Sequence, residues 1–586
     1  MTSIPWAPGP AVGPAPRRPG VGFGPPRLAA ALSVLIPLLA AGLVGVGTLL
    51  GWRGGDLPAQ IYRVEAVRRN GLALWDSQWF AGHWMLGYSV LYPSIAAAVG
   101  LGLLSVISAA AAALAFHRLV VGHFALGAAR AASLTFTLSV IVETAIGQLP
   151  FLAGEAAGLW CCVALARRRP AWAAATAVFA SLLSPLAAAF VALAAAAWLL
   201  AAWWPFTAGS ALASGMSATA SGMPAAGRSR ALRESPAWGA NGGRAGALRA
   251  KLARPGVGSA GLVVLSVGVP LGIVGLLFPG QGPMPYPFVD CVWELVIAAG
   301  LWLVTPRQER VLRAGIILFV LSALASLAVP SALGGNVGRA EDCVALPLTV
   351  ALLWPRRRVL LAFLVVPLVL SQWGPAWSTM SSHAAHPQKT ASYYQPLIRW
   401  LHHAGGPLGR VEVVPTADHW ESAYVAPTVA LARGWERQLD VANNPIFYDA
   451  GLLNGDTYLQ WLLDNGVRYV ALPSAPLDYA GVVEGRVVAA GVPGLRQVMH
   501  TPHWRVYQVD GATGIVSGPG YLTSIDGSHL SVTIDTPGTI EVRVHDNPAW
   551  RVAAGAASIE PSVEGWILVH ALLPGPVDLA MRLPVP

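Results

Sequence analysis

Eleven apolar runs set the limits on what this chain can fold into. They lie at 28–50, 89–116, 124–146, 150–166, 171–186, 187–204, 257–278, 290–305, 314–329, 341–355 and 359–374. A helix crosses ~30 Å of hydrocarbon with about 20 apolar residues, and in lipid its backbone must satisfy itself internally. Runs of this kind in series therefore predict a polytopic α-helical membrane protein of about 11 spans. The chain is 55% hydrophobic and only 11% charged, outside the range of soluble domains. The first run is too long for a secretory h-region and lacks a small-residue cleavage site, so it reads as an uncleaved anchor. The fifth and sixth runs are separated only by the turn signal Ser184–Pro185.

Charge orients the spans. With residues 1–27 inside, the inner segments carry 20 Lys and Arg residues, against 5 in the outer loops before residue 375. Basic residues accumulate on the cytoplasmic side. The expectation is a plasma-membrane protein with a cytoplasmic N-terminus and an extracytoplasmic region 375–586. That region has a net charge of −6 and the remainder +15, which together give the +9 of the chain. The basic excess belongs to membrane loops, and no nucleic-acid partner is implied. Residues 1–27, rich in Pro and Gly, read as a disordered tail. Within the membrane domain 28–374, residues 205–256 read as an Ala/Gly/Ser-rich cytoplasmic linker. Cys291 and Cys343 fall near outer helix ends, which leaves a disulfide between them open.

The ionisable residues beside the spans gather at one level. Asp56 follows the first span, where it is either a carboxylate available for chemistry or an ordinary helix cap. Glu143 lies near the outer end of the third span, and Glu155 about 8 Å into the fourth. Asp290 and Glu294 open the eighth span; Glu341 and Asp342 open the tenth, just after Arg339. A charge at a helix centre costs ~3 kcal/mol, so such residues are scarce without a use. An acid at a helix N-terminus gains ~0.3–1 kcal/mol from the macrodipole, which accounts for Asp290, Glu341 and Asp342. Glu143 has no such account, because the dipole opposes it. Pairing of Glu143 and Glu155 with Arg339 or a polar backbone group is the alternative.

The first outer loop, 51–88, holds Arg53, Arg63, Arg68 and Arg69 against the charge rule. Pro58–Asn70 reads as a helix with Ile61, Val64 and Val67 on one side, lying along the interface. Its arginines either bind membrane lipid headgroups or a lipid-linked phosphate, or form a solvated face. His83 and Trp84 come from the same loop.

This loop resembles that of the GT-C superfamily of polyprenyl-phosphate-sugar glycosyltransferases. The matching residues are Asp56, Gly71, Trp75, Asp76, Trp79, Gly82, Gly87 and Leu91–Pro93 (LYP). The run is similar to a G-x-x-x-W … G … Y-P stretch of large bacterial membrane proteins, including YfhO-like ones. Blocks GGNVGR (334–339), HWESAYVA (419–426) and LARGWERQLD (431–440) are similar to those of actinobacterial integral membrane proteins, some of which carry a transporter label. The resemblance implies a GT-C-like fold and transfer of a sugar from a polyprenyl-phosphate donor to an envelope glycan or lipid acceptor. Asp56 is then the catalytic base or acceptor-orienting carboxylate, with Glu143 beside it. Arg63, Arg68, Arg69, His83, Trp84, Glu155, Asp290, Glu294, Arg339, Glu341 and Asp342 are candidates for substrate binding. The paired D-x-D form of some members is absent, since Leu57 and Pro58 follow Asp56. No cofactor is expected, and a divalent metal is left open.

From 375 the composition becomes that of soluble domains. Ser392–Ala404 and Thr457–Asn465 read as amphipathic helices, and Arg410–Val414, Val467–Leu472 and Trp504–Val509 as strands of an α/β unit spanning 375–511. His529–Asp535, Thr539–His545, Trp566–Ala571 and Val577–Leu583 alternate between Gly/Pro turns, as in a β-sandwich over 512–586. His383, His386, His402 and His403 lack Cys or acid partners at zinc spacing. Asp418, His419 and Glu421 lack a Ser or Cys elbow and read as structural or carbohydrate-contacting. Trp420, Trp435 and Trp550 are core residues or sugar-stacking rings. Two other functions stand beside the glycosyltransferase: a transporter or flippase of lipid-linked precursors, and a non-catalytic membrane scaffold. Acids at the outer edge, rather than broken helices at the midplane, favour the enzyme.

Overall fold

The computed structural model describes residues 26–71, 74–203, 257–280, 282–381 and 386–582. Most of the expected tail, the linker 205–256 and His383 lie outside the described residues.

The N-terminal region is helical. Its elements are α1 (Pro26–Leu49), α2 (Leu57–Asn70), α3 (Tyr92–Val99), α4 (Leu101–Val121), α5 (Leu126–Ile146), α6 (Leu149–Ala166), α7 (Pro170–Leu183) and α8 (Pro185–Trp203). After the linker come α9 (Val257–Leu277), α10 (Phe288–Val304), α11 (Arg310–Ala328), α12 (Arg339–Leu353) and α13 (Arg358–Ser381). Among the described residues, six helices (α4, α5, α6, α8, α9 and α11) are long and apolar enough to cross a membrane. Shorter apolar stretches occupy Ser33–Leu49, Pro170–Leu183 and Arg358–Gly374. The run expected as one span at 89–116 is two helices, because Gly100 takes φ +90° and ends α3. Small residues let the helices approach closely: Ala40, Ala109, Ala112, Ala129 and Ala132 are fully buried around the stacked rings of Phe116 and Phe136.

The turn between α5 and α6 shapes the site. Gly147, at φ +95°, donates its N–H to the Glu143 and Thr144 carbonyls, and the Gln148 N–H also reaches Glu143 O at 2.9 Å. This is a glycine-ended helix with a proline, Pro150, opening the next one. A side chain on Gly147 would collide with Leu57.

Among the described residues, the C-terminal region contains three four-stranded sheets. The first is mixed: β1 (Arg410–Val413), β2 (Val467–Pro473), β3 (Leu495–His500) and β4 (Trp504–Val509), in the order β1-β2-β4-β3 with β1 and β2 parallel. The third of these strands is absent from the sequence reading, because its residues are mostly half-buried or exposed and carry no clean alternation. The other two sheets share one apolar core. One has the order β10-β11-β8-β5 and the other β6-β7-β12-β9, built from β5 (Val516–Ser517), β6 (Gly520–Ile525), β7 (His529–Ile534), β8 (Gly538–His545), β9 (Trp550–Ala554), β10 (Ala557–Pro561), β11 (Trp566–Ala571) and β12 (Gly575–Met581). Trp420 and Trp550 are 1% exposed and belong to cores, so neither offers a ring to a sugar.

The segment between α1 and α3 is not a free loop. Tyr62, Trp79, Phe80 and Met85 are buried in one cluster with Tyr394, Val411, Trp420 and Trp504 of the mixed-sheet unit. Trp75 and Trp84 pack on the core of the paired sheets. Apolar burial at ~25 cal/mol per Å² thus fastens the first loop to both C-terminal units.

Candidate functional site

Within the helical region, among α5, α6, α10, α12, α13 and the turn before α12, there is a cavity of ≈ 630 Å³, within the range of small-molecule sites. Helix α5 contributes Glu143 and α10 contributes Asp290 and Glu294. The turn Gly334–Gly338 contributes Asn336, and α12 contributes Arg339, Glu341, Asp342 and Cys343. The glycines of GGNVGR have a local cause. Gly334 sits at φ +38° against the Met284 carbonyl, and a Cβ on Gly338 would strike the Glu294 carboxylate. Glu294 accepts a 2.5 Å hydrogen bond from the Tyr286 hydroxyl. Glu341 is 8% exposed, and its Oε2 has no hydrogen-bond partner.

Asp56 occupies the N-cap position of α2, yet its carboxylate makes no capping hydrogen bond. Its backbone N–H donates to the Ile146 carbonyl at 3.1 Å, which fixes it against the end of α5, one helical turn beyond Glu143. Its carboxylate faces Arg339 at 3.6 Å. Arg339 lines the cavity and lies 5.8 Å from the Phe151 ring centroid. The helix-cap alternative for Asp56 is therefore set aside by geometry.

Glu155 comes from α6 and meets Glu143 across the Gly147 turn. Cys343 completes a group in which one ligand-type atom from each residue lies within 4.8 Å of the others. The Cys343 thiol donates to Glu143 Oε1 at 3.3 Å. Cys291 is free and buried in a different cluster, so the disulfide left open by the sequence does not form.

Other expected residues lie elsewhere. Arg63 pairs with Glu436, while Arg68 and Arg69 flank Glu65 at 4.0 and 3.7 Å; none of the three lines the cavity. Helix α2 does not present Ile61, Val64 and Val67 as one apolar stripe: its buried face is Pro58, Ala59, Gln60, Tyr62 and Val64. His83 stacks on His545 with centroids 3.5 Å apart. Trp84 stacks between Trp75 and Phe278 and donates to the Leu277 carbonyl at 2.6 Å.

The sequence blocks 419–426 and 431–440 form the seam that holds Asp56. Trp435 donates its indole N–H to the Gly55 carbonyl at 2.7 Å and stacks on His419 at 3.6 Å. Arg53 donates to the Lys389 carbonyl and, at 3.0 Å, to the Tyr424 hydroxyl. His419 lies between Glu421 at 3.3 Å and Asp478 at 3.4 Å. Burial pulls its pKa down, but these two carboxylates outweigh that and leave it raised. Burial pushes Asp478 up, yet His419 and Arg437 hold it well below the usual carboxylate range. His419 and Glu421 thus belong to a buried ion network with Asp478 and Arg437, while Asp418 pairs with Lys389 at 3.3 Å.

Cys343, Asn336 and Tyr286 were missed by sequence reasoning as parts of the site. Cys343 directly follows the acidic pair at 341–342, which was the available signal. No protein-family profile and no curated protein matches the chain. Among solved structures, the crystal structure of an apo oligosaccharyltransferase from Archaeoglobus fulgidus is similar. The TM-score is 0.39 and the identity 13%, over 76% of this chain and 70% of that one. Likeness at that level carries no argument about activity.

Proposed function

We propose that this chain is a membrane glycosyltransferase that moves a sugar from a polyprenyl-phosphate carrier to a cell-envelope acceptor, at the extracytoplasmic face. The observation that carries the reading is Arg339, a single guanidinium set between Asp56 and the carboxylates of a ≈ 630 Å³ cavity. In the reaction, the acceptor oxygen attacks the anomeric carbon of the sugar. The bond from that carbon to the carrier phosphate breaks, and the polyprenyl phosphate leaves as an anion. Asp56 takes the proton of the acceptor hydroxyl, with Glu143 beside it orienting the acceptor. Arg339, half-buried at the cavity wall, stabilises charge developing on the departing phosphate.

The experiment is incubation of the purified full chain with radiolabelled polyprenyl-phosphate sugars and envelope acceptors. Incorporation is expected, and it falls ~10²–10⁴-fold in Asp56→Asn. Full incorporation by correctly inserted Asp56→Asn and Glu143→Gln variants refutes the assignment. Vesicle uptake of the labelled lipid without incorporation replaces it with transport.

A further inference from the structure

Glu143 is 7% exposed, and one of its carboxylate oxygens has no hydrogen-bond partner. Glu155 likewise has a buried, unpartnered oxygen. Both point into the group completed by the 7% exposed thiol of Cys343. Among the described residues no cation forms an ion pair with Glu143 or Glu155; Arg339 pairs with Asp56 at 3.6 Å and acts on Glu143 only from a distance. Leaving a buried carboxylate oxygen unsatisfied, with no counter-charge beside it, costs several kcal/mol. Three helices, α5, α6 and α12, nevertheless converge to place these groups together.

We propose that Glu143, Glu155 and Cys343 bind a zinc ion through two carboxylate oxygens and one thiolate. The donor set selects the metal, because a thiolate favours Zn²⁺ over the hard, oxygen-seeking Mg²⁺, Ca²⁺ or Mn²⁺. Tetrahedral zinc with Zn–S of ~2.3 Å and Zn–O of ~2.1 Å has ligand–ligand edges of about 3.4–3.6 Å. The Cys343–Glu143 separation of 3.3 Å is close to the ~3.6 Å S–O edge, and binding draws the trio, whose ligand atoms lie within 4.8 Å of one another, inward by side-chain rotation. Three protein ligands leave a fourth position. Glu143 and Cys343 both line the cavity, so that position opens toward it, as in zinc sites that bind a water or substrate oxygen. Phe151, Leu186 and Ala187 pack around Cys343 and keep the thiolate side dry. The proposal deepens the reading of the same cavity, but it concerns ion binding alone and its test requires no sugar transfer.

The test is titration of the purified, metal-stripped full chain with Co²⁺, followed by displacement with Zn²⁺. A near-ultraviolet thiolate-to-cobalt band is expected, saturating at about one equivalent per chain and bleached by Zn²⁺. The band is absent in Cys343→Ser and retained in Cys291→Ser. Glu143→Gln and Glu155→Gln each weaken Co²⁺ binding at least about tenfold. Absence of a band in the unaltered chain, or its persistence in Cys343→Ser, overturns the proposal; the trio then holds protons rather than metal. Zinc X-ray absorption on the unaltered chain decides the matter should Cys343→Ser fail to insert. One sulfur at ~2.3 Å among light-atom ligands supports the site, and a shell without sulfur overturns it. No sugar incorporation by the unaltered chain, with the cobalt band present, would refute the glycosyltransferase reading and leave the metal site standing.

Discussion

Asp56 and Arg433 show how differently two charged residues are held. Asp56 has Arg339 as its cationic neighbour among the described residues and is 32% exposed at its side chain, so a ligand can reach it. Arg433 is 4% exposed and surrounded by Glu412 at 2.8 Å, Glu484, and Asp440 at 3.6 Å, with the Phe447 ring on its face. Removing a lone buried partner from such a cluster costs ~3–5 kcal/mol, because the remaining charges lose compensation. Arg433→Met is therefore expected to lower the thermal unfolding midpoint of the full chain in detergent by several degrees. A midpoint equal to that of the unaltered protein would show the cluster to be neutral to stability. Glu412 supports the expectation: burial raises its pKa well above the usual value, with Arg433 the chief opposing influence.

At the scale of elements, the α5–α6 turn and the Gly54–Asp56 strap form one device. Gly147 must take a left-handed conformation, and Gly54 must lie against the end of α5, where a Cβ would strike the Ile146 and Ala145 carbonyls. Gly147→Ala is expected to destabilise the chain by at least ~1–2 kcal/mol, the cost of left-handed backbone in a residue with a Cβ. Its read-out is the same unfolding midpoint. Trp435→Phe tests the strap from the other side. It keeps the ring on His419 but loses the hydrogen bond to the Gly55 carbonyl, worth ~1 kcal/mol. If Asp56 is positioned through this bond, kcat for sugar transfer falls while KM changes little. A change in KM alone would mean that Trp435 affects binding rather than the carboxylate. Much of this was legible beforehand, since the helices followed from apolar runs and Gly/Pro punctuation. The stray strand β3 and the split at Gly100 were not, because each depends on neighbours rather than on local pattern.

Across the whole molecule, the first loop is clamped against both C-terminal units, and the clamp contains histidines of opposite character. Burial, with Arg410 nearby, pushes His83 down to about 4. Burial, with His83 and Arg410 beside it, pushes His545 down to about 3. Freed imidazoles titrate near ~6.5. Lowered folded values mean that this stacked pair contributes fully above ~6.5, and that the contribution drains away as pH falls toward 4 and 3. His419 has the reverse sign: raised in the fold, it contributes below ~6.5 and loses that contribution as pH rises through its folded value. The acid limb of stability between pH ~6.5 and 4 is expected to flatten in a His83→Phe/His545→Phe double variant, followed by unfolding midpoint against pH. An unchanged slope would assign that limb to carboxylates instead.

Hydrophobic run length and glycine and proline placement determined the helical region and its turns, and the change of composition marked the sheet-bearing region that follows α13, because these features act through local backbone and solvent preferences. They also singled out Asp56, Glu143, Glu155, Glu294, Arg339, Glu341 and Asp342, since charge beside apolar runs is conspicuous. Only tertiary structure decided which of them meet. It drew Arg63 to Glu436 and away from the cavity, paired Asp56 with Arg339, and set Cys343 between Glu143 and Glu155. Such convergence depends on the packing of helices distant in sequence, and no local pattern records it.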